Sequence, residues 1–405
     1  MVGGFFMQKV DVLIIGAGII GLATAKALLE SNSKLRVVVV EKESNLGFHA
    51  SGRNSGVLHA GFYYTPDSLK AQFCKDGNSA LRKLCHEFNI PVRQVGKVVV
   101  TRNIEEEAQL EALFNRGIIN GVNLELLPKK ELLRFEPLAT TKDNFIWSPD
   151  TAVSDPQKVI GALAKKVTDL GGEIVFGQLA SLSPNNNEIS TSAYRWAARH
   201  IVNASGSQSD RIARMHGFSK NFLMIPFMGI YRSVEAQKLP LKRLVYPVPN
   251  PLNPFLGVHF TLSSHNLVKI GPTAIPILNR EGYAFMEHWR VADAKESLVG
   301  IFAMLKGNSH DVPAMIRSEF PKLQTSRLLK SAARMVPSAA NVNGWKNMPP
   351  GIRAQLVDLR SGQLVTDFLI EGDGHSTHVL NAVSPGWTAA LPFGRHIANR
   401  VLTAL

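Results

Sequence analysis

Apolar residues along this chain keep two different periods, and the points where the period changes mark out its elements. A short apolar run, Val12 to Ile15, ends in Gly16-Ala17-Gly18-Ile19-Ile20-Gly21. An Ala/Leu-rich pattern with helical spacing then runs to about Glu30, and a second apolar run, Val37 to Val40, ends on Glu41. The order is strand, glycine turn, helix, strand, acid. A long polar connection follows from Ser44 to Pro66, holding His49, Arg53, Asn54, His59, Tyr63 and Tyr64. It is longer than an ordinary connection between elements and reads as a functional loop.

Further on, helical spacing predicts helices over 68–89, 104–119, 159–170, 291–306 and 312–335, and a short strand running into a short helix over 126–135. Strands are predicted at 95–101, 173–176 and 199–204. From Phe222 to about Ile277 the pattern turns strand-like and proline-rich, as expected of an antiparallel sheet distinct from the opening βαβ unit. Residues 351–371 read as hairpin strands, and 380–405 as a strand, a Ser-Pro-Gly-Trp turn and a C-terminal helix.

The glycine turn carries the first chemistry. Gly16 permits the tight turn, Gly18 lets backbone approach a pyrophosphate, and Gly21 lets helix and strand pack closely. The helix N-terminus offers N–H groups and partial positive charge to a diphosphate, and Glu41 at the second strand's tip suits ribose hydroxyls. With strand, helix, spacing and acid all present, the motif points to a dinucleotide; it does not distinguish FAD from NAD.

A chain of 405 residues is long enough for two domains. No apolar run approaches the ~18–20 residues of a membrane span, and the short start MVGGFFM lacks the basic region of a signal peptide. The two cysteines, Cys74 and Cys85, have neither metal-ligand nor CxxC spacing, so the expectation is no bound metal, a reducing compartment and a cytoplasmic location. The net charge of +13 suits anionic partners, whether acidic metabolites or a membrane surface. No nucleic-acid-binding signature is present, which disfavours nucleic acid.

Five stretches, GRNSGVLHAGFYYTPDSLKAQFC, PFLGVHFT, VKIGP, GIRAQLVD and NAVSPGWTAALPFG, together resemble the FAD-dependent oxidoreductases of the glycine oxidase/D-amino acid oxidase superfamily. Within it they are most similar to the L-2-hydroxyglutarate dehydrogenase/oxidase branch. The resemblance runs nearly end to end. It implies an α/β fold: a Rossmann-like FAD-binding domain over 7–80, 150–215 and 346–405, and a mostly antiparallel-sheet substrate-binding domain over 81–149 and 216–345.

The resemblance also implies site residues. Gly16, Gly18, Gly21, Glu41, Leu179, Ala204 and Gly206 would hold the adenosine diphosphate half of FAD. Ser51, Arg53, Asn54, Ser55 and Gly56 would run beside the flavin ring, and Pro385, Gly386, Trp387 and Thr388 would set a helix N-terminus against the flavin pyrimidine. Arg353 matches the arginine that grips a substrate carboxylate, a task for a planar, always-charged fork.

Oxidation of a 2-hydroxy acid to the 2-oxo acid needs a base for the hydroxyl proton. His259 is the preferred base, with His59 contributing substrate contact or sharing the role, and Tyr63 and Tyr64 touching substrate. The expected partners are a small carboxylate substrate, 2-hydroxyglutarate-like, and quinone or oxygen as electron acceptor. Basic residues Lys322, Arg327, Lys330 and Arg334 raise peripheral contact with the inner membrane. Glycine oxidase-like oxidation of an amine is the alternative reaction, and a non-catalytic dinucleotide sensor the alternative of another class. Met228 and Ile230 stand where the family strand carries Arg and Glu, which puts the substrate tail in question.

Overall fold

The computed structural model describes residues 6–182, 188–250, 255–283, 289–307 and 312–405. The first five residues of the MVGGFFM start and Pro254 of PFLGVHFT lie outside the described residues.

The opening βαβ unit sits at the centre of a largely parallel sheet. Its strands run in the order Ser376–Asn381, Arg195–Asn203, Met7–Ile15, Val37–Val40, Glu173–Val175, all parallel, with Leu369–Gly372 antiparallel at one edge. Every residue of Val37–Val40 is buried, as a strand covered on both faces requires. Helix Ile19–Ser31 covers one face and packs on helix Ala390–Ala404 so closely that a Cβ on Gly394 would lie 2.6 Å from the Ala23 carbonyl carbon. Helix Pro156–Asp169 completes this layer, capped by Asp155, which accepts from Gln157 N–H at 2.9 Å.

A second sheet has eight strands in the order Lys346–Asn347, Arg232–Glu235, Leu267–Gly271, His259–Leu262, Leu244–Pro247, Lys97–Val100, Asn144–Ser148, Glu125–Pro128. All pairs are antiparallel except Leu244–Pro247 with Lys97–Val100. It builds its own apolar core. A smaller antiparallel sheet joins Ile275–Pro276, Phe222–Gly229, Gly351–Asp358 and Gln363–Leu364. Segments 216–345 and 346–405 therefore meet strand to strand, in register from Phe222–Asp358 to Gly229–Gly351.

Two predicted elements differ. The helix expected over 312–335 is broken into Val312–Glu319, a 3-10 turn Phe320–Leu323, and Thr325–Ala332, because Pro321 lacks the N–H and the space a continuous helix needs. The hairpin strand expected over 363–371 is split: Gln363–Leu364 and Leu369–Gly372 belong to different sheets. Between them Asp367 turns away to cap helix Leu69–Glu87, accepting from Leu69 N–H at 2.8 Å and Lys70 N–H at 3.0 Å.

Candidate active site

One elongated cavity runs from the opening turn to the junction of the three sheets. Its wall includes Gly16, Gly18, Glu41, Ser51, Arg53, Asn54, Ser55, Leu179, Ala204, Gly206, Pro385, Gly386, Trp387 and Thr388, together with His59 and Arg353.

At one end the backbone itself is the surface. Gly16 has φ of 103°, and a Cβ there would lie 2.6 Å from the Ala204 carbonyl oxygen; only glycine suits both demands. Gly18 precedes helix Ile19–Ser31 with no side-chain cap, and Ile19 N–H donates instead to Ser51 Oγ at 2.9 Å. Glu41 accepts from Ala17 N–H at 2.9 Å and Glu43 N–H at 3.0 Å, which fixes its carboxylate beside the turn. Leu179 faces it from a neighbouring loop and is 68% exposed, an apolar surface open to a ring. Gly21 and Gly56 are packing positions outside the wall: Cβ atoms there would lie 2.0 Å from Gly16 O and 2.2 Å from Ser154 O.

The loop after Glu41 is tied down by its own side chains. Asn54 donates to Ser51 O at 2.8 Å and accepts from Gly56 N–H at 2.9 Å. Arg53 donates to Phe48 O at 2.6 Å and lays its guanidinium 4.1 Å from the Tyr283 ring centroid. Thr388 bridges this loop to the C-terminal segment: it accepts from His59 N–H at 3.2 Å and donates to Val57 O at 3.1 Å. Glu43, His49 and Glu281 gather close enough for a metal ion. The Lys42 ammonium already bonds all three, at 2.9 Å to His49 Nε2 and 3.0 Å to Glu281, and also to Glu43.

The far end is built from side chains. Arg353 lies on strand Gly351–Asp358 and donates to Thr273 O at 3.3 Å; no carboxylate among the described residues pairs with it. His259 opens its strand, is 6% exposed and stacks on Tyr246 with centroids 3.9 Å apart. Its Nδ1 lies 2.8 Å from Gly257 O. A carbonyl only accepts, so Nδ1 carries the hydrogen and Nε2 keeps the lone pair. Burial first, then the Lys97 and Arg353 charges, push His259 down to about 3, against the opposing pull of the Gly257 carbonyl. Burial, Lys97 and His259 likewise hold His59 well below the usual histidine range. Both imidazoles are neutral near pH 7. Burial raises the Tyr63 and Tyr64 hydroxyls well above their ordinary range, so both are donors. Tyr63, Tyr64 and His259 do not line the cavity; His259 sits within electrostatic reach of both His59 and Arg353.

Gly229 and Tyr231 line the cavity, whereas Met228 and Ile230 between and beside them do not. The two departures from the family strand therefore lie off the cavity wall. Lys97 and Tyr246 belong to this end and were not picked out in the sequence. Lys97 opens the apolar run KVVV, where a charge ordinarily reads as the solvent end of a strand.

The cavity fits FAD on three observations: bare backbone at Gly16 and Gly18 beside a helix N-terminus, a carboxylate at the strand tip, and an exposed apolar surface at Leu179. The family model of the FAD-dependent oxidoreductases (DAO) matches residues 11–400. The chain belongs to this family of FAD-dependent oxidoreductases. It is 35% identical over 402 residues to an L-2-hydroxyglutarate dehydrogenase of Escherichia coli (strain UMN026), covering 98% of this chain and 94% of that one. It is 33% identical to the mitochondrial L-2-hydroxyglutarate dehydrogenase of Bos taurus, covering 96% and 88%. Among solved structures, FAD-bound L-α-glycerophosphate oxidase from Mycoplasma pneumoniae superposes with a TM-score of 0.74 at 25% identity, covering 98% and 95%. Glycine oxidase from Geobacillus kaustophilus shares the fold, with a TM-score of 0.73 at 18% identity and the same coverage.

Proposed function

We propose that this protein oxidises an L-2-hydroxy acid, 2-hydroxyglutarate first, to the 2-oxo acid. The observation that carries the reading is the pairing of an arginine with no carboxylate partner among the described residues and two neutral histidines at one end of the FAD cavity. The named function of the relatives at 33–35% identity supports it.

Gly16, Gly18, Glu41, Leu179, Ala204 and Gly206 would hold the adenosine diphosphate half, and Ser51, Arg53, Asn54 and Ser55 with 385–388 would flank the ring. FAD, when bound, supplies the acceptor for the hydride leaving C2. Arg353 grips the carboxylate next to C2 through its two-pronged fork. His259 Nε2 presents a lone pair for the hydroxyl proton, and His59, in the wall, shares that task. Tyr63 and Tyr64, buried outside the cavity wall, back this end and do not reach substrate.

The test is a panel of L- and D-2-hydroxyglutarate, other 2-hydroxy acids and amines, mixed anaerobically with the flavoprotein. The expected result is bleaching by L-2-hydroxy acids, with L-2-hydroxyglutarate fastest. Bleaching by amines alone would instead make it a glycine oxidase-like enzyme, and bleaching by nothing in the panel would favour a sensor.

For the electron acceptor, the exposed face of helix Val291–Gly307 supports a quinone reached at an anionic membrane. Val291, Leu298, Phe302 and Leu305 form a helical stripe, with Trp289 beside it, all at least 46% exposed. Arg290, Lys295 and Lys306 are exposed on the same segment, whereas its acids Asp293 and Glu296 are engaged by Arg211. Such a face suits an interfacial helix, and no helix among the described residues is long and apolar enough to cross a membrane. Phe302→Asp is expected to abolish co-sedimentation with anionic vesicles while leaving flavin bleaching intact. Equal sedimentation of both proteins would point to a soluble acceptor such as oxygen.

A further inference from the structure

A second cavity, of about 400 Å³, adjoins the first. The two share Arg53, Asn54, Ser55 and Tyr231, and Lys269 and Gln157 help to close the second. Its described lining holds two cations, Arg53 and Lys269, and no carboxylate. Arg53 gives its Nε to Phe48 O and lies over the Tyr283 ring, and its outer nitrogens meet no carboxylate among the described residues. The Lys269 ammonium has no hydrogen bond or ion pair among the described residues. Asp155 is the acid whose field reaches it, and that carboxylate already caps helix Pro156–Asp169 and meets His265 at 3.1 Å.

Strand register fixes which way Lys269 faces. On strand Leu267–Gly271, Lys269 lies opposite Thr261 on one side and Ser233 on the other, and Gly271 lies opposite His259. Residues paired across a sheet share a face, as do residues two apart on one strand. Lys269 therefore stands on the face of His259, diagonal to it at ~7–8 Å, a step that long side chains bridge. The Tyr231 ring covers this face at Gly271, where a Cβ would come within 3.1 Å of it. The alternate residues Val268, Ile270, Phe260 and Leu262 fill the core behind.

We propose that Lys269, with Arg53 in the same wall, binds the distal carboxylate of a 2-hydroxy diacid and so selects diacids over monoacids. This rests on the hydroxy-acid reading and adds the group that reads the substrate's far end. In 2-hydroxyglutarate that carboxylate stands three carbon–carbon bonds from C2. The carbon chain covers part of the diagonal from His259 to Lys269, and the flexible lysine stem covers the rest. Arg353 holds the near carboxylate, the hydroxyl faces the histidines, and the chain runs past Tyr231. Burial lowers the Lys269 ammonium, against the pull of Asp155. A cation left half-buried and unpaired gains from a carboxylate that arrives beside it.

The experiment is anaerobic stopped-flow reduction of the FAD-loaded protein and its Lys269→Met variant. The substrates are L-2-hydroxyglutarate and L-2-hydroxypentanoate, which has the same number of carbons and no distal charge. The wild type is expected to favour the diacid by about 30-fold or more in the ratio of limiting rate to Kd. Lys269→Met should lose about 30-fold on the diacid through a weaker Kd, with the limiting rate of reduction within about threefold of wild type. On the monoacid it should change less than about threefold. Equal losses on both acids, an unchanged preference, or a loss confined to the limiting rate overturns the proposal.

Binding gives a readout independent of turnover. Glutarate and pentanoate, titrated against the oxidised flavin spectrum, compare the same two ends without a hydroxyl. The wild type should bind glutarate about tenfold or more tightly than pentanoate, an advantage lost in Lys269→Met and in Lys269→Gln. A wild type that binds both equally overturns the proposal, even if neither variant yields flavoprotein. Failure of every 2-hydroxy acid to bleach the wild-type flavin would instead count against the hydroxy-acid reading, and the glutarate comparison would still decide whether the second cavity takes a carboxylate.

Discussion

The two ends of the cavity are made of different material. The adenosine end is backbone: Gly16, Gly18, Ala204 and Gly206 contribute mainly main-chain surface, and the principal side chains, Glu41, Ser51 and Leu179, come from a few nearby turns. The ring end is side chain: His59 and Arg353 in the wall, backed by Lys97, Tyr246 and His259, arrive from a loop and four strands of two sheets. An end made of backbone depends on a local spacing of residue types. An end made of side chains depends on registers between strands far apart in the chain. Substitutions at the first should remove the cofactor; substitutions at the second should leave the cofactor and remove the chemistry.

The largest break in that comparison is Gly16→Val. A β-branched side chain at φ of 103°, with its Cβ 2.6 Å from Ala204 O, has no room to adjust. FAD content measured by absorbance after gel filtration should fall more than about tenfold, whatever remains folded. Next is His259→Ala, which should keep FAD and slow flavin reduction by about 100-fold or more, with a smaller change in substrate affinity. Arg353→Met should also keep FAD. It should lower kcat/KM by about 100-fold, mostly through KM, since it removes a charge-assisted pair of hydrogen bonds to substrate.

Smaller effects sharpen the same division. Asp367→Ala deletes the carboxylate that caps helix Leu69–Glu87 and should cost about 1 kcal/mol of stability without changing the kinetic constants at a permissive temperature. Met228→Gln lies off the cavity wall and should alter kcat/KM less than about twofold. A large change there would move the wall.

The same contrast explains what could be read before the structure. The βαβ unit, the long loop and the Ser-Pro-Gly-Trp turn were legible, because each is a local pattern with a local cause: apolar periodicity, a glycine turn, a proline before a helix. Arg353 and His259 were singled out through family-like motifs, but nothing in their spacing says that they meet. Their meeting depends on Gly351–Asp358 pairing with Phe222–Gly229 and on His259–Leu262 pairing with Leu267–Gly271. Lys97 is not legible in the sequence because lysine at a strand start ordinarily reaches water; here Tyr63 and Tyr246 close over it. The concern over Met228 and Ile230 arose from identity at two positions. Which residues of that stretch face the cavity, Gly229 and Tyr231, emerged only with the pairing of the strand.

The most direct test of the central claim is anaerobic mixing of the FAD-loaded protein with L-2-hydroxyglutarate, carrying either hydrogen or deuterium at C2. The account predicts loss of the oxidised flavin absorbance, slower with the deuterated acid, and one 2-oxoglutarate formed per flavin reduced. An unchanged flavin spectrum, or bleaching with no dependence on the C2 isotope and no 2-oxo acid, would contradict it.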